Sequence, residues 1–512
     1  IDFDQLRQEL SDHVVDGTRQ RYHLDWPGKR EALLAANAPI AKTLRPCREE
    51  SVDFDKTRNL FVEGDNLDAL NLLQETYLKK VKLVDIDTPY NTGKEFIYDD
   101  DFAEDATEYL SRSRQVNDVG ARLVANTEAN RRFHSDWLSM MHDRLRLARH
   151  LLSENGAVFV SIDDHEIQNL RHLMDEFFGS ENYIATIIWH KMDSPKNSAR
   201  HFSEDHDYIV IYARNAETWR PNLLPRSDDM IARYKNPDND PRGPWVLGDL
   251  AARNAYSAGI YPITTPSGKV IDGPPAGIYW RISKDKFDEL NRDGRIWWGE
   301  SGSNRPGIKR FLNEVRDGVI PQTYWSWKEV GSTRNAKRDL SQLMEAQSGD
   351  VLFDTPKPIR LIQRILQVGT TASSGDIVLD FFAGSGSTAE AVMRLNAESM
   401  GNRQFILVQI PEEIPGGGFK SIAELAKVRI GLAGKQVEEE AGIDGKKAFF
   451  VDQNALAACF DRGVTEELVK KLAARKPLRV VFRDAGFGSD AVKINVEQLF
   501  KLVSPGTEVK AI

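Results

Sequence analysis

Cysteine is nearly absent: the 512 residues contain two, Cys47 and Cys459. They lie far apart and match neither a disulfide framework nor a zinc-ligand spacing. That excludes a disulfide-stapled secreted scaffold and a structural metal site of this kind, and it suits a reducing compartment. Long apolar runs are missing too. None approaches the roughly 18 residues that mark a membrane span, and the first residues, IDFDQLRQELSDH, are too polar for a signal peptide. A cytoplasmic location with no membrane attachment is the expectation, with no bound metal. There is no internal repeat and no long low-complexity tract. A net charge of −9 argues mildly against a nucleic-acid binder, although such a partner needs only one basic face. With 41% hydrophobic and 28% charged residues the chain has an ordinary globular balance, and its length suggests roughly three domains.

The pattern of elements is α/β. Residues 1–50 read as a polar helical segment. "NLFVEGDNLDALNLLQETYL" predicts strand, turn and helix, and "KLVDIDTPYNTG" a second strand directly after it. "DWLSMMHDRLRLARHLLSENGAVFVSIDDHE" then predicts a helix closed by Gly156 and a strand over Val158–Ser161. Two βα passes so close together imply a parallel sheet with its loops at the carboxyl edge. Residues 51–188 are expected to form one part of this core. From 189 to 349 Pro, Gly, Trp and Asn become frequent and the periodicity breaks up, which predicts an insert domain. The α/β rhythm returns over 350–421, and 422–512 is expected to form a separate C-terminal α/β domain.

Two stretches carry chemistry. "DIVLDFFAGSGSTAEAVMRL" is a strand, an acid at Asp380, a turn through Gly384 and Gly386, and an amphipathic helix. Glycine lets the turn close tightly and lets a ligand approach the backbone, while the helix N-terminus beyond it offers free N–H groups. A phosphate-binding Walker loop needs a lysine before the Ser/Thr, and there is none; a dinucleotide fingerprint needs a third glycine, and that is missing too. The pocket of an S-adenosylmethionine-dependent methyltransferase needs only the short G-x-G. A plain strand-to-helix turn explains it as well. Upstream, "FDTPKPIRLIQRIL" puts Thr355 and Lys357 at a helix start, where a hydroxyl and an ammonium suit a carboxylate. An N-capped helix accounts for Thr355 and Pro358, but a cation there opposes the helix dipole.

The second stretch ends a strand in Asp87-Thr88-Pro89-Tyr90. The exocyclic amine of a nucleobase is a poor nucleophile, because its lone pair is delocalised into the ring. A carboxylate and a backbone carbonyl accepting its two N–H groups would turn that lone pair toward an electrophile. Pro89 holds residue 88 extended and so directs its carbonyl. Tyr90 offers a ring on which an unstacked base can lie. A strand-ending turn explains Asp, Pro and Asn, but not the aromatic ring.

D-x-P-Y with N-T-G, upstream of T-x-K-P and F-x-G-S-G, resembles an amino-methyltransferase of DNA in the β arrangement, where the catalytic half precedes the cofactor half. With "YHLDWPGK", "NLFVEGDNLDAL", "VSIDDHE", "GIYWRISKDKF" and "VKINVEQLFKLVSP" the chain resembles, over nearly its whole length, the modification subunit of type III restriction–modification systems. The resemblance implies a Rossmann-like methyltransferase sheet with 51–188 as catalytic half, 189–349 as target-recognition insert and 350–421 as cofactor half. It implies Asp87, Thr88, Pro89 and Tyr90 as catalytic residues. It further implies S-adenosylmethionine held by Asp65, Thr355, Lys357, Asp380, Phe381, Gly384, Gly386 and Gln409. Asp in D-x-P-Y implies adenine N6 as target rather than cytosine N4. The implied partners are double-stranded DNA, a second copy of the chain, and a restriction subunit that hydrolyses ATP. Thr88 departs from the family, which has proline there; a recognition subunit without catalysis is therefore the rival reading. For DNA contact, eight Lys/Arg against three acids lie between Asn304 and Arg338, interleaved with Tyr324, Trp325 and Trp327. Lys309, Arg310, Arg334, Lys337 and Arg338 are the expected contacts.

Overall fold

The computed structural model describes residues 24–29, 32, 42–92, 133–344, 353, 355–414 and 418–440, and the backbone of short strands at 96–98, 123–125, 479–482 and 508–511. Most of the expected N-terminal helical segment, Gly93, Cys459 and most of the expected C-terminal domain lie outside the described residues.

One eight-stranded sheet organises the chain. Its strands are β1 (Leu60–Glu63), β2 (Val81–Asp87), β3 (Leu152–Ile162), β4 (Tyr183–His190), β5 (His206–Ala213), β6 (Tyr324–Ser326), β7 (Ile377–Asp380) and β8 (Gln404–Gln409). Their order is β1-β8-β7-β2-β3-β5-β4-β6. All neighbours run parallel except β5, which is antiparallel to both β3 and β4. The central strands are apolar on both faces: Val81, Leu83, Val84, Val158, Phe159, Val160, Val378 and Leu379 are all fully buried. This is the pattern of a sheet covered by helices on both sides.

Helices α1 (Asn66–Tyr77), α2 (Phe133–Leu151), α3 (Ile167–Phe178), α4 (Thr333–Met344), α5 (Ile359–Gly369), α6 (Ser387–Ser399) and α7 (Ile422–Glu440) supply the cover. Asp65 caps α1, accepting from the Leu67 and Asp68 N–H groups. The apolar stripe of α5, with Leu361, Ile362, Ile365 and Leu366 buried, repeats at helical spacing. Gly156 does not close a helix. It lies inside β3, where a Cβ would come within 3.0 Å of the Val81 carbonyl, so close approach to β2 is what requires glycine there.

β7 is followed by β8 on one side of the sheet, and β2 by β3 on the other. The strand order reverses between β7 and β2, and the crevice at their carboxyl ends is where such sheets bind ligands.

The insert is narrower than 189–349. Residues 221–321 form a compact unit of their own, while β4, β5 and β6 belong to the large sheet. The run Tyr208–Ala213 is too continuously apolar to leave the core, and β6 buries Trp325. The 221–321 unit has a three-stranded antiparallel sheet of Trp245–Asp249, Gly307–Phe311 and Ile296–Trp297. Its core includes Leu250, Ile263, Trp280, Phe287 and Trp298.

Candidate active site at the carboxyl edge of the sheet

Asp87 is the last residue of β2 and Asp380 the last of its neighbour β7. Beyond Asp380 the chain turns through Gly384 (φ 51°) and Gly386 (φ 80°) into α6. Asp380 is buried inside this turn, accepting from the Phe382 N–H at 3.1 Å and the Thr388 hydroxyl at 2.6 Å. Burial pushes its carboxyl up to about 7, against the pull of those two bonds. Gln409, at the end of β8, accepts from the Gly384 N–H at 2.7 Å and donates to the Ile410 carbonyl. Arg429 of α7, itself buried, donates to Ser385, Ser387 and Glu390.

On the other side of the turn, Asn66 donates to the Phe381 carbonyl at 2.9 Å. Arg144 of α2 is fully buried, hydrogen-bonds Asn66 and lies 3.5 Å from the Asp65 carboxylate. The glycine turn is thus braced from three elements by side chains whose polar groups are already satisfied.

Three of the expected cofactor residues are engaged in the protein's own packing. The ring of Phe381 is fully buried in the core, and Phe382 is the half-buried ring beside it. A Cβ on Gly386 would meet Ile430 and Ala426 of α7 at 3.3–3.5 Å, and the backbone there is left-handed, which favours glycine. Asp380 spends both oxygens inside the turn. Gly384, by contrast, faces only Phe353 and the Phe382 carbonyl within 4 Å among the described residues.

The DTPY segment is arranged otherwise. Thr88 is buried and its hydroxyl donates to the Ser161 carbonyl of β3 at 3.0 Å. The Pro89 carbonyl accepts from the buried Trp137 indole at 2.7 Å. Asn91 takes a left-handed conformation (φ 60°) and donates to Glu166, which also meets His134 and Asn169. Tyr90 is fastened at its hydroxyl, which donates to Asp207 at 3.3 Å; Lys191 donates to the other Asp207 oxygen at 2.6 Å.

Lys357 reaches into this segment from the start of α5. Its ammonium is 2.6 Å from the Asp87 carboxylate, 4.9 Å from the centre of the Tyr90 ring and 5.8 Å from that of Trp189. Burial raises the Asp87 carboxyl, and Lys357 pulls it part of the way back. Asp85, two residues earlier on the same strand face, is buried and has no hydrogen-bond donor among the described residues. Burial and then the negative charges of Asp380 and Asp87 raise its carboxyl well above the usual range. Thr355 is exposed at the same helix start.

The expected DNA contacts divide. Lys309 is buried in the 221–321 unit, where its ammonium bonds Asp238 and, at 2.9 Å, Asp240, between the rings of Trp245 and Trp297. It is a structural cation with no path to a phosphate. Arg310, next on the same strand, points outward. Arg334, Lys337 and Arg338 share the exposed face of α4, opposite buried Ala336, Leu340 and Met344. Trp325 is a core residue, whereas Tyr324 is exposed and bonds His190.

A family model described as DNA methylase matches residues 81–414. The modification (Mod) subunit of the StyLTI type III restriction–modification enzyme of Salmonella typhimurium is 33% identical over 447 residues, covering 84% of this chain and 65% of that one. The EcoPI Mod subunit of Escherichia phage P1 is 32% identical, covering 81% and 68%. The EcoP15I Mod subunit of Escherichia coli is 28% identical, covering 83% and 71%. The chain belongs to the DNA methylase family. This family consists of S-adenosylmethionine-dependent enzymes. The chain spans about two thirds of the length of the three relatives. In this methylase chain the matched region opens on β2 and ends after β8, so it takes in both the DTPY segment and the glycine turn. The crevice suits the cofactor: Lys357 and Thr355 would offer an ammonium and a hydroxyl to its carboxylate, and Gly384 a backbone without a Cβ.

Tyr90's anchor Asp207, the Trp137 bond to Pro89 and the Arg429 brace were not anticipated from the sequence. Asp207 had one usable signal: an acid at the second position of β5, directly before the apolar run Tyr208–Ala213.

Proposed function

We propose that this chain transfers a methyl group from S-adenosylmethionine to N6 of an adenine turned out of duplex DNA, as the modification subunit of a type III restriction–modification system. One observation carries the reading. Asp87 ends β2 at the strand-order reversal, beside the glycine turn, with the Tyr90 ring clamped next to it.

S-adenosylmethionine supplies an electrophilic methyl group on a sulfonium. Asp87 and the Thr88 carbonyl accept the two N–H bonds of the target amine and aim its lone pair, and Asp87 disperses the positive charge that grows on nitrogen. Tyr90, held by Asp207, stacks on the base. Thr88 keeps the required carbonyl, and its hydroxyl bond to Ser161 stands in for the stiffness of a proline ring. Thr355 and Lys357 hold the amino-acid end of the cofactor, and Asp65, Gln409 and the Gly384 backbone shape the nucleoside side.

DNA contact falls to the exposed cations of α4, to Arg310, and to the segment between β4 and β5. That segment follows the carboxyl end of β4 and carries Lys196, Arg200 and Phe202, whose side chain is 90% exposed. The names of the relatives support a restriction subunit as partner; a second copy of this chain and a cytoplasmic location complete the proposal. No helix among the described residues is long and apolar enough to cross a membrane.

The test is mass spectrometry of DNA incubated with the chain and labelled S-adenosylmethionine. N6-methyladenine is expected. N4-methylcytosine would overturn the target base, and no methylated base at all would leave the non-catalytic recognition subunit standing. Sequencing the methylated positions would also give the recognition site.

A further inference from the structure

The ion pair between Lys357 and Asp87 raises a difficulty for methyl transfer at this site. The Asp87 oxygen that should accept the target amine is already bonded to the Lys357 ammonium at 2.6 Å. The same ammonium lies over the Tyr90 face, where the base should stack, and 5.8 Å from the centre of the Trp189 ring.

A nitrogen that donates to Asp87 while its charge rests against Tyr90 is what the methylated amine becomes as positive charge builds on it. Resting on the methyl-transfer reading, we propose that Lys357 is a stand-in for the target amine. In the free protein it fills the place of that amine, and the base is captured only after Lys357 has left for another acid. Lys357 then has two roles, cofactor ligand and gatekeeper of the base site, and the second makes base capture depend on the first.

The surroundings fit an exchangeable contact better than a permanent one. The Asp87 side chain is 34% exposed and the Lys357 side chain 13%, so the pair lies at the mouth of the crevice and not in the core. Two other acids come within its electrostatic reach. Asp85 has no hydrogen-bond donor among the described residues, and its carboxyl responds to Lys357. The cofactor carboxylate is the other. When Lys357 turns to that carboxylate, Asp87 regains an acceptor and Tyr90 a free face. Tyr90 itself does not move, because Asp207 and Lys191 hold it from behind. Cofactor and base are thereby coupled through one side chain, and the coupling is reciprocal.

The experiment uses the full chain and a duplex carrying its methylation site, with 2-aminopurine beside the target adenine to report unstacking. Wild type should capture the base at least tenfold more tightly with sinefungin, which keeps the amino-acid end. It should gain nothing from 5′-methylthioadenosine, which lacks that end. Lys357→Met should capture the base without any cofactor at least tenfold more tightly than wild type, and sinefungin should add nothing. Lys357→Arg, which keeps a cation over Tyr90, should behave like wild type without cofactor. A simple cofactor ligand would lose sinefungin affinity in Lys357→Met and gain no DNA affinity; that outcome overturns the proposal, provided circular dichroism shows the variant folded. Wild type that methylates the duplex yet captures the base equally well without cofactor also overturns it. Wild type that methylates nothing sinks the methyl-transfer reading and this inference with it.

Discussion

Asp87 and Asp380 end neighbouring parallel strands, yet the chain treats them oppositely. After Asp380 the backbone doubles back through glycines, and the N–H two residues on, at Phe382, returns to the carboxylate. After Asp87 the residue two positions on is Pro89, which has no N–H to return. Asp380 also receives the Thr388 hydroxyl, whereas Asp87 is met by the end of a lysine from 270 residues away. One acid is consumed in building the turn, and the other is left to the proposed reaction. What separates them is the donor supplied at the second residue after the strand. This gives Pro89 a second role besides directing the Thr88 carbonyl: it keeps a backbone donor away from Asp87.

The contrast can be broken most severely on its braced side. Arg429→Met leaves Ser385 and Ser387 without their buried donor and Glu390 with Arg394 as its partner; breaking a buried pair costs up to about 3–5 kcal/mol, and a drop in thermal stability toward that size is expected by calorimetry. Next comes Asp87→Ala, which should lower turnover by about 100- to 1,000-fold, the range for loss of one charge-stabilising group, while duplex binding stays near wild type in a filter assay. Its counterpart Asp380→Asn should leave turnover within about tenfold and instead change the pH profile of stability. The folded Asp380 carboxyl is raised to about 7 from the ordinary 3.8. Its ionisation therefore costs nothing below the lower value, and it weakens the fold progressively as pH rises from there to about 7. Urea midpoints taken across this window should fall with pH in wild type and fall less in Asp380→Asn. Pro89→Ala restores the missing donor, and an Asx-type bond from residue 89 to Asp87 should slow single-turnover transfer by about tenfold, or ~1.4 kcal/mol. The smallest effect is reserved for Thr88→Pro. It trades the Ser161 bond for a stiffer ring, a term of roughly 0.4–1 kcal/mol, so rates should differ by less than about tenfold.

Much of this was legible in the sequence because it is local. The strand–acid–turn pattern at Asp87 and Asp380 announces itself within a dozen residues. What stayed hidden depends on partners far along the chain. Lys309 reads as one more surface cation until Asp238 and Asp240, 71 and 69 residues away, close around it. Arg429 looks like an ordinary helix residue until the turn of β7 and α6 packs beneath it. The compact unit at 221–321 is smaller than the expected insert for the same reason: β6 carries the composition of the segment around it, and only pairing with β4 assigns it to the large sheet. Gly386 shows a second reason for glycine besides its motif: its backbone is left-handed, and the helix that packs 3.3–3.5 Å from its Cβ position lies some forty residues later.

The placing of β1 has a consequence in time. That strand is bonded only to β8, and the Asn59 side chain beside it bonds Phe405 across a sequence separation of 346 residues. At translation rates of ~5–20 residues per second, its partner emerges from the ribosome about 20–70 s later. Until then β1 and the open flank of β2 present unpaired backbone, a ready template for pairing with another chain. The half that carries Asp87 must wait, half-built and adhesive, for the half that carries the glycine turn. Conditions that slow elongation should therefore lower the yield of soluble chain before they affect any assembled enzyme.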